Sequence, residues 1–170
     1  MDVMTAIETR RSIRRYSACP VEEEKLNRVL EAGRLAPSAR NLQELKFVVV
    51  RDPETRLRLK EAAGGQGCVA QAPVFLAVCG TNPGAVMSCG QPRYTVDASI
   101  ALSFMILEAQ AQGLGTCWLG HFDEAKIRQI LGIPESVRVV AVTPLGYPDE
   151  APAPRSRKSL TELACMEKYR

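Results

Sequence analysis

Residues Arg10-Arg11-Ser12-Ile13-Arg14-Arg15 place four arginines and a serine within six positions. Guanidinium groups so close repel one another unless an anion sits among them. Their planar forks match phosphate and carboxylate oxygens in shape and in charge, and they stay charged at any working pH. The chemistry this supports is retention of a phosphorylated ligand, and the plainer alternative is a solvated basic turn. A second basic cluster, Arg155, Arg157 and Lys158, lies far along the chain. Convergence of the two on one anion would relieve the repulsion in each. Three or four charge-assisted hydrogen bonds, at roughly 1.5–3 kcal/mol each, would then fix a phosphate without a glycine-rich loop.

Other constellations are poor. His121 is the only histidine, and no G-x-S-x-G elbow accompanies it, so a serine-type triad is not expected. The six cysteines, Cys19, Cys68, Cys79, Cys89, Cys117 and Cys165, show neither C-x-x-C nor the paired spacings of zinc and iron–sulfur sites. No metal is expected, and the thiols read as those of a reducing compartment, the cytoplasm. Cys117 lies in a short apolar stretch and reads as an inert core cysteine. Gly64-Gly65-Gln66-Gly67 lacks the lysine and hydroxyl residue of a P-loop and reads as a flexible connector. With no nucleophile–base pair and no metal spacing, demanding chemistry falls to a bound cofactor.

These groups need a scaffold, and 170 residues suffice for one domain with its own core. Hydrophobic residues at 46% and charged residues at 24% exclude disordered and fibrous classes. A net charge of +3 without a lysine-rich tail points away from nucleic acid. The longest apolar run, near residues 98–109, is interrupted by Ser99, Ser103 and Glu108, too polar to span a bilayer, and the N-terminal residues lack the apolar stretch of a secretory signal.

Helices are predicted after Asp2, over Glu22 to Pro37, from Pro53 to about Ala63, over residues 95–112 and after Asp123. Strands are predicted at residues 46–51, 74–79, 116–119 and 137–145. The first helix delivers the arginine run at its C-terminal end, where cations are favoured. Pro37, Ser38, Ala39, Arg40 and Asn41 form a loop whose polar groups are free to meet a ligand. Residues 80–92 form a long loop, and residues 95–112, apolar on nearly all sides, form a central helix buried in the core or against a partner subunit. Beyond Gly146 the prolines of the tail keep it extended.

Taken together the chain resembles the nitroreductase family of FMN-dependent NAD(P)H oxidoreductases. The likeness covers nearly all of it. It rests on Arg10 to Arg14 after the first helix, on Ala36-Pro37-Ser38-Ala39-Arg40-Asn41 before Phe47-Val48-Val49-Val50, on Asp97 through Gly113-Leu114-Gly115, on Trp118-Leu119-Gly120 and on Pro154-Arg155-Ser156-Arg157.

The resemblance implies an α+β fold: a central, mainly antiparallel sheet flanked by helices in an intertwined homodimer, with residues 148–170 packing on the partner. Arg10, Arg11, Ser12, Arg155 and Arg157 would hold the phosphate and ribityl end of FMN, and Arg14 would lie near the pyrimidine edge. Pro37, Ser38, Ala39 and Asn41 would come from the other subunit, while the backbone of Leu119 and Gly120 would approach N5. NADH or NADPH is the implied reductant and an electron-poor small molecule, a nitro compound or quinone, the acceptor, in ping-pong order. No catalytic side chain is required, because FMN carries the chemistry. Gln43-Glu44-Leu45 departs from the family's common Gln-Pro-Trp, and the span between Cys79 and Asp97 is short, which predicts an open pocket. Two rival readings are an FMN storage protein of the same fold and a basic nucleic-acid-binding protein.

Overall fold

The computed structural model describes residues 1–169. The chain runs α1 (Val3–Thr9), α2 (Glu23–Leu35), β1 (Leu45–Val50), α3 (Pro53–Ala62), α4 (Gly67–Gln71), β2 (Val74–Gly80), α5 (Arg93–Ala111), β3 (Gly115–Thr116), α6 (Glu124–Leu131), β4 (Arg138–Gly146) and α7 (Leu160–Leu163). The strands form one sheet in the order β1-β2-β4-β3, with every pair antiparallel. The expected α+β architecture with a mainly antiparallel sheet is therefore what the chain adopts.

The layering follows from the period-2 alternation of β2, which is buried at all seven residues. Phe75, Ala77 and Cys79 point into a core with α3, α4 and α6, which includes Leu59, Val69 and Ile127. Val74, Leu76 and Val78 point the other way, into a core with α2 and α5 that includes Val29, Leu102 and Met105. Gly33 lets α2 press on α5, since a Cβ there would come within 2.8 Å of the Met105 side chain.

The helix starts are set by local chemistry. Asp2, Asp52 and Asp123 accept hydrogen bonds from the backbone N–H groups of Thr5, Thr55 and Lys126, at 3.1, 2.7 and 3.1 Å. Gly132, at φ 65°, stops α6.

Gly64 and Gly65 turn left-handed, at φ 68° and 75°, in the link between α3 and α4. Two expectations need correction. The predicted strand at residues 116–119 shortens to β3, because the Cys117 N–H goes to the Thr143 hydroxyl at 3.1 Å instead of continuing the ladder, which Leu119 rejoins at Val142. The predicted extended tail ends in a helical turn, α7, closed by a Ser159–Glu162 capping box. Within this chain α5 is buried on one side only: Ala98, Ala101, Leu102, Met105 and Ala109 are buried, whereas Phe104 is 42% exposed. No helix among the described residues is long and apolar enough to cross a membrane.

Burial pushes the Cys79 thiol up to about 11, with the charge of Glu124 adding to the effect, and it raises Cys68 and Cys117 in the same direction. A folded-state value above the unfolded one means stability that is whole below the ordinary thiol range and lost as pH rises through it. The urea midpoint is expected to fall between about pH 8 and about pH 11, less steeply in Cys79→Ala. Parallel pH profiles for the two proteins would contradict this.

Candidate functional site

The arginine run leaves α1 as extended chain and lies down beside the sheet. Ile13 donates its N–H to the Thr116 carbonyl at 2.9 Å, and Ser12 bridges Thr116 in parallel orientation. On the other side Ser17 N–H bonds the Tyr147 carbonyl, and Asp149 N–H bonds the Arg15 carbonyl, each at 2.9 Å. Ile13 and Tyr16 are the pegs, both buried, with the Tyr16 hydroxyl donating to the Ile13 carbonyl at 2.7 Å. Burial drives the Tyr16 phenol far up. Arg10, Arg14 and Arg15 stay on the outer side of this anchored segment.

The two basic clusters meet. A hollow of about 660 Å³ is lined by Arg10, Arg11, Ser12 and Arg14 on one side and by Arg155 and Arg157 on the other, with Pro152 and Pro154 keeping the tail extended between them. Among the described residues, Arg10, Arg14 and Arg155 form no ion pair and no side-chain hydrogen bond. Among the described residues Glu8 is the one carboxylate residue on the lining. Arg11 turns back to donate to the carbonyls of Glu8 and Arg10 at 2.7 and 2.9 Å, the helix-terminal use of a cation. Arg15 instead pairs with Asp149 at 3.5 Å, with both side chains exposed, and is surface charge. A concave surface of unneutralised guanidinium groups is a site for a polyanionic group.

The basic segment also borders two further hollows. Arg10 and Ser12 share one of about 320 Å³ with Ser103, Ile106, Leu107, Thr116 and Trp118. Arg14 shares one of about 430 Å³ with Gln66, Gly67, Cys68 and Gln71. These last residues were missed by sequence reasoning, in which the glycines dominated the reading. Gln66 donates to the carbonyls of Ala63 and His121 at 2.9 and 3.2 Å, and Gln71 accepts from the Tyr16 N–H at 3.2 Å, so both stitch the α3–α4 turn to the site. His121 packs on this turn, where a Cβ at Gly64 would come within 2.8 Å of its ring.

The remaining predicted residues lie elsewhere in this chain. Leu119 is buried and Gly120 exposed, and neither lines the arginine hollow. A Cβ at Gly120 would meet open space, so nothing inside the chain requires glycine there. Pro37, Ser38, Ala39 and Asn41 belong to an exposed turn at the other end of α2, and Ser38 lines a separate hollow of about 230 Å³ with Phe47. Ser38 is already engaged, its hydroxyl oxygen accepting the Gln43 N–H at 3.1 Å. Cys117 is buried, with its thiol held up by burial despite the opposing pull of Arg14 and Ser12, which fits an inert core position. No group of three metal-ligating side chains able to hold an ion occurs among the described residues.

Comparison with known proteins gives the same outline. The model of the Nitroreductase family matches residues 7–147. A relative from Thermus thermophilus named NADH dehydrogenase is 38% identical over 96% of this chain and 95% of its own length. An FMN reductase [NAD(P)H] from Bacillus subtilis is 30% identical over 99% of this chain and 74% of its own. The structure of the NADPH:FMN oxidoreductase from Vibrio harveyi, complexed with NAD+, superimposes with a TM-score of 0.90 at 30% identity, covering 99% of this chain and 78% of that one. With the family's pattern spanning the sheet, the arginine segment and α5, the chain belongs to the nitroreductase family.

Proposed function

We propose that the protein is an FMN-dependent oxidoreductase that uses NADH or NADPH to reduce electron-poor small molecules such as nitro compounds and quinones, working as a homodimer. The observation that carries this reading is the meeting of two sequence-distant arginine clusters around one hollow that holds unpaired guanidinium groups. Relatives named as FMN reductase and NADPH-flavin oxidoreductase support it. Arg10, Arg11, Ser12, Arg155 and Arg157 are the residues that would hold the phosphate, and their donor set suits it: guanidinium forks and a hydroxyl. Bound FMN would supply the hydride relay from the nicotinamide to the acceptor.

The remaining duties fall to the chain. Arg14, next to the Gln66–Gln71 hollow, would present a fixed positive charge to the ring edge. The open space at Gly120 would leave room beside a bound ring for reductant and acceptor in turn. A second copy would bring Pro37, Ser38, Ala39 and Asn41 to the ring. Val3, Met4 and Ile7 on α1, Phe104 on α5 and Leu160, Leu163 and Met166 in the tail are among the exposed apolar side chains that it would cover.

Because positive charge favours the electron-rich state of a redox centre, Arg14→Ala should lower the midpoint potential of bound flavin, by about 30 mV for a tenfold change in a two-electron equilibrium. An unaltered potential removes that role from Arg14. For turnover, initial rates at varied NADPH and quinone should give parallel double-reciprocal lines, as a shared ring face requires. Intersecting lines would show both substrates bound together and overturn the ping-pong order.

A further inference from the structure

Residues 40–43 carry an outlier that neither the core nor the arginine hollow accounts for. Arg40, Asn41 and Gln43 are all left-handed, at φ 55°, 55° and 54°, although none is glycine. Backbone in that region persists only where its surroundings over-determine it. Here the tip is solvent-exposed, and Leu42 is 47% exposed, so burial does not hold it.

The tip is closed locally by the Ser38 hydroxyl, which accepts the Gln43 N–H, and its two ends are tied to one turn of α5. Arg93 and Asp97 stand at i and i+4 and so share a helix face. Asp97, 3% exposed and without a cationic partner among the described residues, accepts the Ala39 N–H at 3.1 Å. Arg93 pairs with the Glu44 carboxylate, which also accepts from Asn82 at 2.9 Å. The two ends of the strained tip, Ala39 and Glu44, are thus fixed by neighbouring side chains of the same helix. A carboxylate buried for a single backbone N–H is an expensive anchor for a turn that buries nothing of its own.

We infer that Arg93 and Asp97 are positioning residues, a two-point clamp that holds residues 40–43 as a preformed edge for the ring of FMN bound in the arginine hollow of a second copy. This rests on the FMN reading above. The clamp removes the ordering penalty that a mobile loop would otherwise add to ligand binding. It also accounts for Glu44 in this chain: the residue serves the clamp from the position after Gln43.

The test compares Asp97→Ala, Asp97→Asn and Arg93→Met with the wild-type protein, reading the FMN dissociation constant by fluorescence titration and the visible circular dichroism of the bound flavin. Asp97→Ala and Arg93→Met should each weaken FMN binding roughly tenfold and change the flavin dichroism, whereas Asp97→Asn, which keeps an acceptor oxygen for Ala39, should recover most of the loss. A role in stability alone would lower the melting temperature while leaving constant and dichroism as in wild type, and that result overturns the clamp. Arg93→Met keeps the Asp97 contact and carries the test if Asp97→Ala does not fold. Wild-type protein that takes up no FMN would sink the functional reading instead. Amide exchange at Asn41 and Leu42 then judges the clamp alone: faster in Asp97→Ala if it holds, unchanged if it does not.

Discussion

Replacing Arg155 and Arg157 together by alanine should leave a folded protein that loses its FMN on dialysis. Both residues are exposed and lie on the extended tail, and neither contributes to either core, so little stability depends on them. Among the described residues Arg155 has no side-chain partner and Arg157 only the neighbouring Ser156 carbonyl, at 3.1 Å, so both are available to a phosphate. Each charge-assisted bond contributes about 1.5–3 kcal/mol. Losing two corresponds to a dissociation constant higher by a factor on the order of 100 or more. The loss should be steeper at low salt, where the hollow's field is unscreened. Flavin occupancy equal to wild type after dialysis would show that the two clusters do not share one anion.

The second large effect concerns Gly115, on β3, which sets how closely the arginine segment approaches the sheet. A Cβ there would come within 2.7 Å of Ile13 Cγ1 and 2.9 Å of Ile13 Cβ. Ile13 is β-branched, buried and held by its own N–H to Thr116, so it has little freedom to retreat. Gly115→Val forces the segment outward and should destabilise the protein by about 3 kcal/mol, the upper range for overpacking. In a chain of this size that lowers the melting temperature by roughly 6–12 °C. FMN retention should fall with it, because Ser12 is carried on the displaced segment. Adding Ile13→Ala should restore part of both losses. A Gly115→Val protein that melts with wild type would show that the contact is not tight.

The parts of the fold that could be read in advance are those written in local patterns. Asp2, Asp52 and Asp123 announce their helices because a cap is a short-range hydrogen bond, and the unbroken apolar run of β2 announces burial on both faces. The misses have physical causes. α4 and α7 span five and four residues, too few to show a helical period. The early end of β3 depends on a hydroxyl from Thr143, far along the chain, which no local pattern reveals.

At the site, charge was the legible signal. Repulsion within the arginine run called for an anion among the guanidinium groups, and the tail supplied a second cluster able to share it. Gln66 and Gln71 carry no charge and no period, so their place beside Arg14 emerged only from the fold. Asp97 was legible only as the start of the stretch shared with the family, and its partner, a backbone N–H on a distant turn, was not legible.

The central claim is most directly tested by the visible absorption spectrum of the purified protein, loaded with FMN and dialysed, before and after rapid mixing with NADH or NADPH. A retained flavin band that bleaches within seconds of mixing is the predicted result. A colourless protein that takes up no FMN, or a flavin band that persists with both nucleotides, would contradict it.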